Sequence, residues 1–182
     1  MSDLEFESSV VTTYPDGSGA ELTLEDVSST AKTIVRAAAD TAAAAALGVS
    51  FGASRAVGDA LVLGQRPGEW MLLGDAAAFV AGMDTTGHVS VIDHTHSRAL
   101  FRLAGAASAS VLEKVCSLDW SDAMTPDGAV VSASIAKATC DLTRQDVDGV
   151  PSYLVACDRS FGQYLFDALL DAGDEFGIGV TP

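Results

Sequence analysis

Three histidines, His88, His94 and His96, lie close together in the chain with Asp93 among them. On a strand, His94 and His96 would share a face, and a zinc ion there would need one or two further ligands. No cysteine is near in sequence, and His88 has no partner at a helical i, i+4 spacing. No nucleophile can be paired with these imidazoles either. A polar strand end facing solvent or backbone carbonyls accounts for them.

Other chemistry finds less support. There is no G-x-S-x-G elbow. Gly17-x-Gly19 lacks the third glycine and the helix-opening strand of a dinucleotide fingerprint, while Gly105 and Gly128 are isolated. Asp141, Asp146 and Asp148 lack the spacing of a calcium loop and read as a solvated hairpin. Cys116 falls at a helix end, away from the start that would stabilise a thiolate, and reads as a small core residue. No residue is therefore assigned a catalytic, cofactor-binding or metal role.

The elements that would position these residues repeat. Thr33-Ile34-Val35 are β-branched and read as a strand, followed by helix formers from Ala38 to Leu47 and a stop at Gly48. Ala60–Leu63 and Trp70–Leu73 flank the turn Gln65-Arg66-Pro67-Gly68-Glu69, where Pro fixes one position and Gly relaxes the next. Asp75 can cap a helix Ala76–Met83, and Gly87–Ile92 reads as a strand with Val89 and Val91 on one face. A second copy starts near Ala99. It has a helix over Ala106–Val115, one long strand region Ala129–Arg144, a turn at Asp148–Pro151, a strand Tyr153–Cys157 and a helix from Phe161. In that last helix Phe161, Tyr164, Leu165, Ala168 and Leu169 form one apolar stripe. Trp70 and Tyr153, at equivalent points, read as core.

The expected fold is α+β: two consecutive ferredoxin-like units of βαββαβ type, spanning 26–98 and 99–182. Residues 1–25, with the turn formers Pro15-Asp16-Gly17-Ser18-Gly19, read as a flexible acidic tail or an extended arm along a partner.

Composition narrows the function. Ten Lys+Arg stand against 25 Asp+Glu, a formal net charge of −15, which disfavours nucleic acid and anionic membrane surfaces. The hydrophobic fraction is 48% but the aromatic fraction only 7%, so small aliphatic residues must fill the interior. Part of that apolar surface could be covered by another chain. No apolar run reaches the roughly 20 residues of a membrane span, the N-terminus is acidic, and Cys116, Cys140 and Cys157 form no C-x-x-C pair. A cytoplasmic protein with reduced cysteines is the expectation.

Five segments in order carry a resemblance. Leu63-Gly64-Gln65-Arg66-Pro67-Gly68-Glu69-Trp70-Met71-Leu72-Leu73 is similar to the G-P-x-E-W-L-L-L signature of the gamma subunits of heterotetrameric sarcosine oxidases. Val91–Arg98 followed by Leu100–Gly105 resembles that family's D-x-S-H-R, strand and glycine segment. Cys116-Ser117-Leu118-Asp119 resembles its C-P-L-D, with Ser for the usual Pro. Ala136-Lys137-Ala138 and Ser160-Phe161-x-x-Tyr164-Leu165-x-Asp167 match two more stretches.

This resemblance implies a folate-binding T-protein-like fold. The T-protein carries an acid pair near a G-G-I-x-D-D turn. The matching region here, Ala136-Lys137-Ala138-Thr139, has none. The implied role is a non-catalytic assembly subunit, with alpha, beta and delta subunits as partners. By resemblance those chains carry FAD, FMN, NAD, tetrahydrofolate and zinc. The complex demethylates sarcosine to glycine, with tetrahydrofolate as one-carbon acceptor and hydrogen peroxide as product. The alternative is a stand-alone folate-binding protein of the aminomethyltransferase type.

Overall fold

The computed structural model describes residues 5–181. Its strands are β1 (Thr23–Asp26), β2 (Lys32–Ala37), β3 (Ser54–Val57), β4 (Ala60–Arg66), β5 (Glu69–Gly74), β6 (Val89–Asp93), β7 (Arg98–Ala104), β8 (Val130–Ile135), β9 (Ala138–Arg144), β10 (Ser152–Asp158) and β11 (Gly179–Thr181). The helices are α1 (Ala42–Leu47), α2 (Ala77–Ala81), α3 (Ser108–Val115) and α4 (Gly162–Gly173). The fold is α+β, as the alternation of elements requires.

Two sheets form, ordered β3-β4-β5-β2-β6 and β11-β1-β7-β10-β9-β8. They stack face to face, with a helix pair outside each, because central strands are apolar on both faces. In β5, Trp70 and Leu72 join the core under α1 and α2, while Met71 and Leu73 join the core between the sheets. In β10, Tyr153, Val155 and Cys157 face the α3–α4 side and Leu154 and Ala156 face the other sheet. Trp70 and Tyr153 are both buried, as expected.

Most local signals hold. Gly48 ends α1 with φ of 59°, and Gly68 takes φ of 76° after Pro67, bringing Arg66 opposite Glu69. Asp75 accepts from the Ala77 backbone N–H at 3.0 Å, but the N-cap position is Ala76, without a side-chain cap, and the helix expected over Ala76–Met83 spans only Ala77–Ala81. The helix expected from Ala38 begins only at Ala42, because Thr41 caps it by accepting from the Ala44 N–H at 3.2 Å.

Three expectations need correction. The strand region Ala129–Arg144 is a hairpin of β8 and β9, turning at Ala136 and Lys137, which both hold positive φ (46° and 69°). The stripe of α4 is rotated. Leu165, Phe166, Leu169 and Ala172 are buried, while Phe161 and Tyr164 are exposed, since Phe166 packs edge-on against Phe101 and the Tyr164 hydroxyl donates to Ala136 O. His94 and His96 do not share a strand face, because the chain turns there and the Ser97 N–H donates to His94 O.

The sheets also do not follow the division at residue 25/26. Strand β1 pairs antiparallel with β7, between it and β11. Leu22 and Leu24 are buried in the α3–α4 core, which fixes the strand there. The preceding arm runs along α4. Val11 and Thr12 N–H groups donate to Gln163 Oε1, and the Tyr14 hydroxyl donates to Asp167.

Candidate functional site

The two sheets meet at one end in a charged cleft of about 140 Å³, lined by Arg36, Gln65, Arg66, Glu69, Arg98 and Asp141 among others. The β4–β5 hairpin builds its first half. Its tight Pro67-Gly68 turn sets Arg66 Nη1 at 2.7 Å from Glu69, and the β2–β5 register brings Arg36 Nε to 2.6 Å from the other Glu69 oxygen. Burial alone would raise the Glu69 carboxyl, but the hydrogen bonds from Arg36 and Arg66 outweigh it and hold it below its ordinary value.

The second sheet supplies the other half. Asp141, on β9, is only 6% exposed and receives Arg98 Nη2 at 2.7 Å, the Ser132 hydroxyl at 2.5 Å and, across the gap between the sheets, Arg66 Nη2 at 3.4 Å. Arg98 also reaches Asp158, its register partner on β10, at 3.1 Å. The cluster links the sheets electrostatically. Arg98 and Asp141 are largely buried, so losing one of that pair is costly, whereas Arg36 and Arg66 are about half exposed and their pairs contribute less.

A second cavity of about 290 Å³ opens between the sheets. Leu61, Leu73, Leu100 and Leu154 give it apolar walls, and Asp59, Arg102 and Gln145 supply polar groups.

The residues singled out from sequence are dispersed. His88 and His96 are exposed, and Asp93 is occupied in accepting from the Thr95 backbone N–H. Among the described residues no group of three His, Cys, Asp or Glu stands together as a metal site. Cys116, Cys140 and Cys157 are free and buried; burial pushes the Cys140 thiol up to about 12 and the Cys157 thiol to about 11. Asp141, Asp146 and Asp148 do not form one acidic loop. Asp141 lies in the cleft, Asp146 pairs with Arg144, and Asp148 occupies a turn with φ of 52°. The Ala136–Thr139 region is the tip and start of the β8–β9 hairpin. The cleft itself was missed from sequence. Arg66 and Asp141 are 75 residues apart, and no local spacing links them.

Comparison with known proteins follows the fold. Residues 55–181 match the model of the family described as the GCVT N-terminal domain. A solved chain of heterotetrameric sarcosine oxidase from Corynebacterium sp. U-96, in complex with pyrrole 2-carboxylate, superposes with a TM-score of 0.72 at 26% identity, covering 85% of both chains. The glycine cleavage system aminomethyltransferase T from Bartonella henselae superposes with a TM-score of 0.67 at 17% identity. That match covers 89% of this chain and 48% of the other, so this chain spans about half of it. No curated protein matches the sequence.

Proposed function

This chain belongs to the GCVT N-terminal domain family, and from that premise we propose that it is the gamma-type subunit of a heterotetrameric sarcosine oxidase, acting in assembly rather than catalysis. One observation carries the reading: the sarcosine oxidase chain is matched over 85% of both lengths, whereas the aminomethyltransferase is matched over 48% of its own. The alpha, beta and delta subunits are then its partners. In that complex sarcosine is oxidatively demethylated to glycine, tetrahydrofolate accepts the one-carbon unit and oxygen is reduced to hydrogen peroxide. The cytoplasmic location belongs to the same proposal; among the described residues no helix is long and apolar enough to cross a membrane.

The side chains support placing the cofactors elsewhere. The histidines do not converge, and the cysteines are buried apart from them in the core, which does not fit a zinc site. The Gly17–Gly19 turn packs its backbone on β11, where a Cβ at Gly17 would sit 2.4 Å from Gly179 Cα, so it leaves no room for a pyrophosphate. The inter-sheet cavity, about 290 Å³, lies just under the roughly 300–1,000 Å³ usual for a ligand of drug size.

Co-expression with the three partner chains tests the proposal. The expected result is a tetramer that co-elutes, with sarcosine oxidation lost when this chain is omitted. Isolation as a stable monomer with no affinity for the other chains would count decisively against it. The T-protein-type fold keeps a second reading in view, a stand-alone folate-binding protein of the aminomethyltransferase kind. Calorimetry of the isolated chain with tetrahydrofolate separates the two: saturable heat supports the second and silence removes it.

A further inference from the structure

Two of the three cysteines face each other across the middle of a sheet. Cys140 on β9 and Cys157 on β10 are direct register partners, and both are fully buried. Register partners on adjacent antiparallel strands project to the same face, and both thiols join the core under α3 and α4. The hydrogen-bond ladder sets their separation. The Gln145 N–H donates to Ser152 O at 2.8 Å, so the bonded pairs recur at Thr143 with Leu154 and at Asp141 with Ala156. Cys140 and Cys157 fall on the alternate, non-hydrogen-bonded position, where Cα atoms stand about 4.5 Å apart and side chains come closest. A disulfide accepts Cα separations of about 4.4–6.8 Å, so the strands need not move to be bridged.

In the closed fold this pair is inert. Burial pushes both thiols up, Cys140 to about 12 with the facing Cys157 adding to the rise, and leaves little of the reactive thiolate. Access lies through the hairpin end. Strand β8 is an edge of its sheet, and Cys140 follows closely on the Ala136-Lys137 turn, whose residues hold φ of 46° and 69°. Non-glycine backbone in that region is strained and opens at lower cost than the ladder around it. Two bonds pin the turn, from Ala136 N–H to Val115 O at 2.8 Å and from the Tyr164 hydroxyl to Ala136 O at 2.7 Å. Cys116, at the end of α3, lies outside the strands and has no such register partner.

We propose that Cys140 and Cys157 are a site of reversible oxidation by peroxides, forming a cross-strand disulfide that clamps β9 to β10 beside the charged cleft. This holds whether or not the chain assembles into an oxidase. Opening of the β8–β9 tip admits the oxidant. One thiolate attacks hydrogen peroxide, becomes a sulfenic acid and releases water. The facing thiol then attacks that sulfur and a second water leaves. Two thiols and one peroxide thus give one disulfide and two waters, the sulfurs losing the two electrons that the peroxide gains.

The reduced full chain is treated with hydrogen peroxide in native buffer, quenched, alkylated in denaturant and mapped without reduction. The expected product links Cys140 to Cys157, leaves Cys116 alkylated and reverts with dithiothreitol. It should form at least about tenfold faster than global unfolding followed by tryptophan fluorescence, because only local opening is needed. Cys116→Ser should leave that rate unchanged, and Cys157→Ser should abolish the link and leave a dimedone-reactive sulfenic acid on Cys140. Hydrogen exchange of the oxidised wild type provides a readout that no variant's folding can confuse. Amides of β9 should exchange about tenfold more slowly than in the reduced chain, since the crosslink removes the open state. Linkage no faster than global unfolding would overturn the proposal. So would a mixture in which Cys116 shares the crosslink, or exchange in β9 that is equal or faster after oxidation.

Discussion

Lys32 is fully buried in β2, an unusual place for an ammonium group. Its Nζ donates to Ser28 O at 2.6 Å, Thr30 O at 2.8 Å and Thr95 O at 3.3 Å. The lysine thereby closes the β1–β2 connection against the β6–β7 turn, where the two halves of the chain exchange strands. Substitution Lys32→Met keeps the apolar stem and removes the donors. The two short bonds are charge-assisted and worth about 1.5–3 kcal/mol each; the third is marginal. Burying the methionine tip returns about 1 kcal/mol. The net loss is about 2–5 kcal/mol, or a fall in Tm of about 4–20 °C for a chain of this size.

Urea unfolding at pH 7, followed by tryptophan fluorescence, measures the loss directly. The pH dependence gives an independent check. Burial lowers the Lys32 pKa from 10.5 to about 8, opposed by Asp26 and Asp93. Between those values the unfolded chain holds the proton that the folded chain has released, so this group makes stability rise with pH. The thiols of Cys140 and Cys157, pushed up by burial, act in the opposite direction above their ordinary pKa. The difference between wild type and Lys32→Met isolates the lysine and should widen in favour of wild type from about pH 8 to pH 10. A variant within about 0.5 kcal/mol of wild type at pH 7 would refute the account, because carbonyls needing the ammonium could not then be lost so cheaply.

Arg144, 6% exposed, binds Asp146 through two bonds, Asp122 at 2.6 Å and Thr125 O at 2.9 Å; Arg144→Met should cost about 3 kcal/mol, read by denaturant unfolding. The same arginine holds the Asp146 carboxyl below its ordinary value, so its stabilising contribution is present above about pH 4 and is lost as pH falls further. Acid titration of Arg144→Met should show a shallower decline than wild type. Gly105 has φ of 135°, and an added Cβ would lie 2.3 Å from Glu21 O; Gly105→Ala should lower stability by about 3 kcal/mol or more and release β1 to faster hydrogen exchange.

Local chemistry made several elements legible. Pro67-Gly68 announced a hairpin and Gly48 a helix end, because each signal acts through the φ of a single residue. The hairpin at Ala136-Lys137 was invisible for the complementary reason. Two non-glycine residues hold positive φ there with no Gly or Asn to mark it, and tertiary bonds support the conformation: Ala136 N–H donates to Val115 O, and Tyr164 donates to Ala136 O. Strand β1 escaped notice because Leu22 and Leu24 acquire their meaning only against Leu103 and Phe101, far along the chain. The arginine cleft has the same character. Arg36, Arg66, Arg98 and Asp141 lie on four different strands, and only the register of two sheets brings them together.

The two helix-covered cores are unequal in a way that bears on the assembly reading. Under α3 and α4 the core gathers 20 buried residues, among them Phe101, Trp120, Tyr153 and Phe166. Under α1 and α2 it gathers 10, with Trp70 the sole aromatic in the buried set. Helix α1 is six residues of alanine and leucine, and α2 has no fully buried residue. Apolar burial contributes about 25 cal/mol per Å², so the first half derives much less from its own helices than the second. Its stability rests instead on the face it shares with the other sheet, where Ile34, Leu63, Met71 and Leu73 meet Leu100, Val130, Leu154 and Ala156. A half held mainly from one side is poorly suited to forming a rigid catalytic pocket beneath its helices. It is well suited to a chain whose outer helical layer gains stability when another subunit covers it.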